Sequence, residues 1–156
     1  MSSDPGEQRL AERVVKAMLG RDAFSSWLGL ELLEIRPRYA AVRMTVRPDM
    51  MNGFGVCHGG VTFGLADSAF AFAANTHGRV TVSIDNSISY PAAVQSGDVL
   101  TAVATEESAA NRVAFYAVRV TNQHDSLVAL FRGTVYKTTR GHFEGTEALD
   151  EGEAVV

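Results

Sequence analysis

The 156-residue sequence lacks several features that would mark particular classes of protein. A single cysteine excludes an intramolecular disulfide. Lysine and arginine form no cluster and the formal net charge is −4, which argues against nucleic acid as a partner. Residues 1–6 are polar and acidic, unlike a signal peptide. We therefore expect a cytoplasmic protein that binds no nucleic acid.

Long hydrophobic runs are also missing. The most apolar stretch, residues 50–76, has no basic flank and is too short and rich in glycine to span a membrane, so we expect no membrane association. Hydrophobic residues make up 46% of the chain and charged residues 21%, as in an ordinary globular domain. We expect one domain over residues 25–140, preceded by a tail and amphipathic helix over residues 1–24 and followed by a flexible acidic tail over residues 141–156.

Residues 50–76 combine a glycine-rich loop with a helix, and the rest of the chain is organised around them. Four glycines between residues 53 and 60 allow backbone angles that bulkier residues resist. From about residue 61 to residue 75, apolar residues fall all round the helical wheel. This pattern is typical of a helix buried on every side, wrapped by other elements of a protein core.

Asp67 is the one charged residue inside this helix. No lysine or arginine lies between Asp49 and Thr76, so no local ion pair offsets its charge. A carboxylate in apolar surroundings destabilises a fold unless it is paired or has a chemical role. Either Asp67 caps a backbone end or meets a basic residue from elsewhere, or it is a functional carboxylate, which is the interpretation we favour.

Gly59 and Gly60 lie where the first turn of this helix begins. The free backbone N–H groups and the positive dipole end there can hold a developing oxyanion, although the glycines alone also fit a tight turn or close packing. Gly60 and Asp67 share a helix face but are separated by about 10 Å along the axis. We therefore predict a dimer with two composite active sites, in which the helix start of one protomer lies beside Asp67 of its partner.

The rest of the chain is expected to form one surface helix and six strands. Residues 1–5 are expected to be disordered, residues 8–19 have the apolar spacing of an amphipathic helix, and the segment 24–28 leads directly into the first strand. Strands are predicted at about residues 30–35, 41–46, 80–90, 98–107, 112–121 and 127–138. Short connections indicate antiparallel neighbours. The predicted fold is α+β, with one curved antiparallel sheet of five or six strands around a single helix, and its edge and open face invite a second copy.

The motifs of the central stretch are together more specific than any one of them. Asn52-Gly53, Cys57-His58-Gly59-Gly60 and Leu65-Ala66-Asp67 occur in this order and spacing. The sequence here resembles the PaaI-type (phenylacetic acid degradation) acyl-CoA thioesterases of the hotdog-fold superfamily. The similarity covers nearly everything from residue 25 to residue 138, and it continues through Ser83-Ile84-Asp85, Ser89-Tyr90, Gly97-Asp98-Val99-Leu100 and Ala129-Leu130-Phe131-Arg132-Gly133. The resemblance implies hydrolysis of aryl- or medium-chain acyl-CoA thioesters by a homodimer or homotetramer.

The resemblance also implies catalytic roles. The Gly59 N–H would be the main oxyanion donor, and Asp67 would act as a general base on water or as a nucleophile that forms an anhydride. Asn52 would help to place the water or the carbonyl, unless it is a loop asparagine that tolerates a left-handed turn before Gly53. Ser83 would supply a hydroxyl that assists the water, unless it is an ordinary serine of an alternating strand.

His58 and Cys57 lie directly before the two glycines, but we assign neither of them a direct chemical step. The position of His58 before Gly59 indicates an imidazole that fixes the loop by hydrogen bonding more than one that transfers protons. Cys57 has no nearby base and orienting group, so we interpret it as a packed thiol. No G-x-S-x-G motif of a serine thioesterase is present, and the four histidines are too scattered to hold a metal. We expect no metal and no cofactor, since coenzyme A is part of the substrate.

Candidate substrate-binding residues surround the predicted site. Apolar groups that could line an acyl or aryl pocket, or equally pack in the core, are Met51, Phe54 and Phe63, which stand with Met50 and Gly60 near the helix start. Coenzyme A phosphates need cations. The candidates are Arg79, Arg112, Lys137 and Arg140, and we predict Arg112 as the substrate-binding residue.

Two other functions fit part of this pattern. An acyl-thioester hydratase or dehydratase of the same fold would pair a histidine with a helix carboxylate from the other chain, as His58 and Asp67 could. A non-catalytic acyl-CoA-binding module would keep the pocket but would have no need for Asp67. A histidine directly before two glycines suits a thioesterase better than a hydratase or dehydratase. The carboxylate in the apolar helix argues against a non-catalytic binding module.

Overall fold

The computed structural model describes residues 4–143. Along the chain it contains helices α1 (Pro5–Leu19) and α2 (Ala23–Leu28), strands β1 (Glu31–Arg36) and β2 (Tyr39–Thr45), the central helix α3 (Gly59–Asn75), and strands β3 (Arg79–Ser89), β4 (Val99–Ala109), β5 (Val113–Thr121) and β6 (Leu127–Gly141). A 3-10 turn, Pro48–Met50, opens the loop that leads into α3.

The six strands form one antiparallel sheet in the order β1-β2-β4-β5-β6-β3. Helix α3 contacts β2, β3, β4, β5 and β6. Because six strands spaced about 4.8 Å apart are much wider than one helix, a single helix reaches five of them only if the sheet curves around it. The predicted α+β hotdog architecture, with its antiparallel sheet and central helix, is confirmed.

The core lies between α3 and the concave face of the sheet. Phe70 of α3 is fully buried. Its ring packs edge-on against Tyr116, with centroids 5.7 Å apart, and at a tilted angle against Phe131, with centroids 5.3 Å apart. A Cβ atom at Gly133 of β6 would approach Phe70 Cε1 to 2.6 Å, so only glycine lets this ring lie against the strand. The helix therefore has the buried, apolar environment on its sheet side that its composition predicts.

Helix α2 was not predicted, since residues 24–28 were expected to lead straight into a strand. The Asp22 carboxylate accepts a hydrogen bond from the Ser25 N–H at 2.9 Å and caps the start of the helix. Gly29 ends it with a φ of +71°, the left-handed conformation of a helix C-cap. Both capping residues are visible in the sequence, but the helix between them has only 6 residues and shows little periodicity.

The ends of other elements also differ from the prediction. Helix α1 begins at Pro5 with Asp4 as its N-cap, so these two residues are ordered instead of disordered. Helix α3 begins at Gly59, before the first strongly apolar residue, and β6 continues to Gly141. Residues 1–3 and most of the predicted acidic tail lie outside the described residues, and the division of the chain at residues 25 and 140 stays a prediction. Within residues 4–143, no helix is both long and apolar enough to cross a membrane.

Candidate active site

The start of α3 presents one backbone N–H without a partner. His58 is the N-cap, and its Nδ1 accepts a hydrogen bond from the Gly60 N–H at 2.9 Å. Its carbonyl accepts one from the Val61 N–H, also at 2.9 Å. The Gly59 N–H donates to no group within residues 4–143. Of the amides in this turn, that of Gly59 is therefore the one available to an oxyanion.

His58 lies where the sequence predicts, and its contacts fit a role in fixing the loop. Because Nδ1 accepts the Gly60 N–H, the ring proton of the neutral imidazole is on Nε2. The side chain is exposed, and its Nδ1 is not free to take a proton from a substrate. The predicted substrate-binding residue Gly60 uses its N–H in this cap, so that group is not available to a carbonyl oxygen.

Asp67 lies two turns along α3, on a helix stripe that the sheet does not fully cover. Gly60 is exposed, and Phe63, Asp67 and Ala71 are half-buried, whereas Ala66 is fully buried. The expectation that α3 is buried on every side is therefore wrong for the single chain, because the sheet and α2 leave this stripe open. Asp67 forms no hydrogen bond or ion pair with residues 4–143, so no described cap or cation accounts for it.

A second carboxylate affects the protonation of Asp67. Burial raises the pKa of the Asp67 carboxyl above its ordinary value, and the negative charge of Asp22 raises it further. Asp22 is held near α3 through Ser25, whose hydroxyl bonds to the Asp22 carboxylate at 2.5 Å and to the Ser68 hydroxyl at 2.8 Å. Sequence reasoning missed Asp22, and the signal that could have identified it was its position three residues before Ser25, typical of an N-cap.

Asn52 organises the loop before α3. Its side-chain carbonyl accepts hydrogen bonds from the N–H groups of Phe54 at 2.9 Å and Val56 at 3.3 Å. The left-handed residue of this loop is Gly55, with a φ of +80°, and not Asn52 itself. The Asn52 side-chain amide donates to none of the residues 4–143, so its two N–H groups are available to a ligand.

Ser83 lies on β3, which pairs with β6 along one edge only. It is opposite the buried Val135, so it belongs to the sheet face that carries α3. Ser83 is nevertheless exposed, and its hydroxyl donates to the Asn86 side chain at 2.9 Å. The concave face of β3 thus extends beyond the cover of α3, and in one chain nothing brings Ser83 to Gly59.

The predicted substrate-binding residues do not all meet at the helix start. Met51 is half-buried and bridges to Cys57, and Phe63 packs edge-on against Phe131 with ring centroids 5.4 Å apart. Phe54 is 94% exposed at the loop tip. Arg112 is exposed in the turn between β4 and β5.

The other cations lie elsewhere. Arg79 and Lys137 line a cavity of about 390 Å³ at the carboxyl end of α3. With 17 residues in α3, this cavity is separated from Gly59 of the same chain by about 25 Å. The Arg79 guanidinium donates to the Thr138 carbonyl at 2.9 Å, and Lys137 Nζ donates to the Ala110 carbonyl at 3.1 Å. The side chains of Arg112 and Arg140 form no ion pair or hydrogen bond with residues 4–143.

A second cavity, of about 360 Å³, adjoins Gly59 itself. Its lining is mainly apolar and small, and consists of Val56, Cys57, Gly59, Thr62, Tyr90, Ala92, Ala93 and Val94. Burial raises the pKa of the Cys57 thiol, and the Sγ atom lies 3.6 Å from the His58 carbonyl oxygen that accepts its hydrogen bond. The thiol is 7% exposed, as the interpretation of a packed cysteine predicts. Tyr90, Ala92 and Ala93 were not among the predicted site residues.

Comparison with known proteins identifies relatives of this chain. The profile of the thioesterase superfamily matches residues 54–129. The acyl-coenzyme A thioesterase PaaI of Escherichia coli is 37% identical over 121 residues, which are 78% of this chain and 86% of the relative. The structure of the PaaI protein from the phenylacetic acid degradation operon of E. coli superposes with a TM-score of 0.84 at 34% identity, covering 86% of this chain and 97% of that one.

Two further structures are similar over most of the chain. A mutant of the phenylacetic acid degradation protein PaaI from Thermus thermophilus has a TM-score of 0.72 at 39% identity, covering 75% of this chain and 100% of the other. A hypothetical thioesterase from Streptococcus pneumoniae, crystallised with coenzyme A, has a TM-score of 0.69 at 26% identity, covering 72% and 88%. From the fold, the helix-start motif and these similarities together, we conclude that the chain belongs to the thioesterase superfamily, as a PaaI-type acyl-CoA thioesterase of the hotdog fold.

Proposed function

We propose that the protein hydrolyses aryl- or medium-chain acyl-CoA thioesters, with phenylacetyl-CoA as the first candidate. The observation that carries the proposal is the pairing of a free Gly59 N–H at the start of α3 with an unpartnered, half-buried Asp67 on the same helix. The first group can stabilise negative charge on a carbonyl oxygen, and the second can accept a proton. The reaction needs only water besides the thioester, and we expect no metal or other cofactor to take part.

In the proposed reaction, the thioester carbonyl oxygen accepts the Gly59 N–H. Water attacks the carbonyl carbon while its proton passes to the Asp67 carboxylate, and the positive end of the α3 dipole stabilises the oxyanion. The C–S bond then breaks, the proton passes from Asp67 to the leaving thiolate, and the free acid and coenzyme A are released. In the other route, Asp67 attacks the carbonyl itself, and water hydrolyses the resulting anhydride.

Asn52 and Ser83 have supporting roles in this proposal. The free side-chain N–H groups of Asn52 can donate to the carbonyl or the water, since its carbonyl is already used within the loop. The Ser83 hydroxyl is exposed on the concave side of β3 and can assist the water when a second copy brings Asp67 to it. Among the candidate cations for the coenzyme A phosphates, Arg112 and Arg140 have the guanidinium groups that no described residue occupies.

The proposed assembly is a homodimer with active sites at its interface. The open stripe of α3 that carries Asp67 and the exposed concave face of β3 are both surfaces that a second copy would cover. The β3 edge is 11 residues long, is unpaired and carries the exposed Val82 and Ile84, so it can extend the sheet into the partner. The outer sheet face exposes Phe115, Leu130 and Tyr136, on which two dimers can form a tetramer.

The two rival functions have less support in the geometry. A hydratase would need a histidine nitrogen with a free lone pair to take a proton from water, whereas Nδ1 of His58 accepts the Gly60 N–H and Nε2 carries the ring proton. A binding module would have no use for a carboxylate whose pKa is raised by burial and by Asp22. The coenzyme A bound to the S. pneumoniae relative supports an acyl-CoA ligand but does not distinguish hydrolysis from binding.

The assay that tests the proposed function measures free thiol released from phenylacetyl-CoA, benzoyl-CoA and hexanoyl-CoA. Hydration of crotonyl-CoA is followed in parallel by loss of its double-bond absorbance. We expect thiol release with the aryl substrates to exceed the uncatalysed rate by at least about 10⁶-fold, as enzymes generally do, and no hydration. Hydration without thiol release would establish the hydratase, and tight binding of all four thioesters without either reaction would establish the binding module.

The pH dependence of hydrolysis tests the influence of Asp22 on Asp67. Because the pKa of Asp67 is raised, its basic form is lost at a higher pH than for an ordinary aspartate as the solution is acidified. Asp22→Asn removes the neighbouring charge but keeps a side-chain oxygen to cap α2, so it should lower the pKa of Asp67. In Asp22→Asn we expect the acid limb of the pH profile of kcat/KM to move to lower pH. The control Asp125→Asn, in the turn between β5 and β6, should leave this profile unchanged. An unmoved limb in Asp22→Asn would mean that the charge of Asp22 does not act on the group that titrates in catalysis.

A further inference from the structure

Tyr90 connects the end of β3 to the start of α3. It directly follows the last residue of the strand, Ser89, and its hydroxyl donates to the Gly59 carbonyl at 2.8 Å. The two residues are 31 positions apart in the chain. Its ring also covers the Cα atom of Gly59, since a Cβ there would lie 3.1 Å from Tyr90 Cζ and Oη. A larger residue at position 59 would have to displace the exposed Tyr90 ring by a few tenths of an ångström.

The peptide unit between Gly59 and Gly60 is held by a side chain at each end. Its carbonyl accepts the Tyr90 hydroxyl at 2.8 Å, and its N–H donates to His58 Nδ1 at 2.9 Å. A peptide unit is planar, so two hydrogen bonds on opposite sides fix the orientation of the whole plane. Gly59 and Gly60 are the first two residues of α3, and glycine loses more conformational freedom in a helix than any other residue. Side chains that restrain this terminal peptide therefore add to what the helix backbone provides.

The neighbouring peptide unit, between His58 and Gly59, carries the free N–H. Its carbonyl is anchored inside the first turn by the Val61 N–H at 2.9 Å, so its own N–H points away from the helix. The two peptide units meet at the Cα atom of Gly59, and fixing one of them limits the rotation of the other. The direction of the Gly59 N–H therefore depends on Tyr90 and His58, although neither side chain bonds to that group.

We propose that Tyr90 is a positioning residue that, together with His58, clamps the Gly59–Gly60 peptide and so aims the Gly59 N–H at the carbonyl oxygen of the substrate. The inference rests on the proposed function, because it assigns to Tyr90 a role in the same oxyanion site. Tyr90 also lines the cavity of about 360 Å³ beside Gly59, so the clamp forms one wall of the space that a thioester would enter.

The clamp predicts a specific kinetic effect of Tyr90→Phe, which removes the hydroxyl and keeps the ring. A misaimed oxyanion donor weakens binding of the transition state more than binding of the substrate. We expect kcat to fall by about 10-fold, less than the 100-fold or more that follows loss of an oxyanion donor, with KM changed less than twofold. Tyr136→Phe removes a hydroxyl from the outer face of the sheet and should leave both constants unchanged. A Tyr90→Phe enzyme with wild-type kcat, or with only KM raised, would overturn the proposal.

The double variant Tyr90→Phe with His58→Ala tests whether the two side chains act on one peptide. If either loss releases the plane, the second adds little, and the double variant should be no more than about twofold slower than the slower single variant. Losses that multiply would show independent roles and would refute the clamp.

Amide hydrogen exchange at Gly60, followed by NMR, tests the clamp without catalysis. We expect exchange of this amide to accelerate in Tyr90→Phe but not in Tyr136→Phe. If the wild-type protein hydrolyses no thioester, the proposed function fails, while accelerated exchange would still uphold the clamp. Unchanged exchange at Gly60 would overturn the clamp whatever the activity of the wild type.

Discussion

Asp67→Asn is expected to slow thioester hydrolysis by about 100- to 10,000-fold, the range that a general base commonly contributes. Asparagine keeps the size of the side chain and removes both its charge and its ability to accept a proton. Because Asp67 has no hydrogen-bond or ion-pair partner within residues 4–143, the substitution disturbs no described contact. The loss should therefore appear in kcat, measured by thiol release from the best acyl-CoA, while binding of the thioester by calorimetry is retained.

The same substitution should stabilise the fold at neutral pH. Since the pKa of Asp67 is raised in the folded protein, ionisation of this carboxyl is less favourable there than in the unfolded chain. Its contribution to stability is fully present below the unfolded pKa, near 3.8, and is lost as the pH rises through the higher folded pKa. Asparagine cannot ionise, so Asp67→Asn avoids this pH-dependent loss of folding stability. The Tm at pH 7 should therefore rise although hydrolysis slows, as is typical of residues that serve catalysis at the expense of stability.

Asp125→Asn is the matched control, an exposed aspartate with a φ of +58° that asparagine also tolerates. It should change neither Tm nor kcat. Equal rates for Asp67→Asn and the wild type would assign Asp67 a structural role. Single-turnover hydrolysis in ¹⁸O-water then tests the nucleophilic route of Asp67 in the wild type. Label in the Asp67 carboxyl requires an anhydride whose aspartyl carbonyl is attacked by water, whereas the general-base route places the label only in the released acid.

The sequence predicted the architecture because the signals for it are local. The uninterrupted apolar wheel of residues 61–75, the alternation in the strands and the short turns between β4, β5 and β6 each follow from neighbours in the chain. The cap at the start of α3 is local as well, since His58 contacts Gly60 two residues away. These features account for the correct prediction of an antiparallel sheet around one central helix, whereas the role of the Gly59 amide stays a prediction.

The residues that the sequence did not reveal act over distance. Tyr90 reaches Gly59 across 31 positions, and Ser25 reaches Ser68 across 43, so neither pairing has a spacing that periodicity could detect. The exposure of Ser83 likewise depends on the place of β3 at the sheet edge, which follows from its pairing with β6 and not from its own pattern. The exposure of Asp67 was also predicted wrongly. The all-apolar wheel indicates a helix buried on every side, but the sheet and α2 leave the stripe of α3 that carries Asp67 partly exposed in the single chain.

Mixing two inactive variants is expected to restore about a quarter of wild-type activity if the active sites are shared between protomers. One variant carries Asp67→Asn. The other carries Gly59→Val, whose branched side chain would crowd Tyr90 and the approach to the oxyanion donor, because a Cβ atom at this position would already lie 3.1 Å from Tyr90 Cζ. Each homodimer should have less than about 1% of wild-type activity, because one lacks the base and in the other the valine side chain keeps the carbonyl oxygen from the N–H of residue 59.

The arithmetic of the mixture follows from the proposed assembly. In a heterodimer, the Asp67→Asn protomer offers its intact Gly59 to the intact Asp67 of the Gly59→Val protomer, and the second site carries both defects. One site in two is then active, and random re-association at equal concentrations makes half of the dimers mixed, so about one quarter of all sites work. Recovery requires exchange of protomers, checked by native mass spectrometry of differently tagged chains.

The outcome distinguishes a site that takes both groups from one chain from a site that two protomers share. Along α3, Asp67 lies about 12 Å from Gly59 at the helix start, too far for both groups of one chain to reach a single carbonyl carbon with short hydrogen bonds. A mixture that exchanges protomers yet stays inactive would show that each site draws both groups from one chain. Recovery would place Asp67 opposite Gly59 of the partner and would explain why the open stripe of α3 carries a charge, because that stripe would then be the wall of the neighbouring protomer's site.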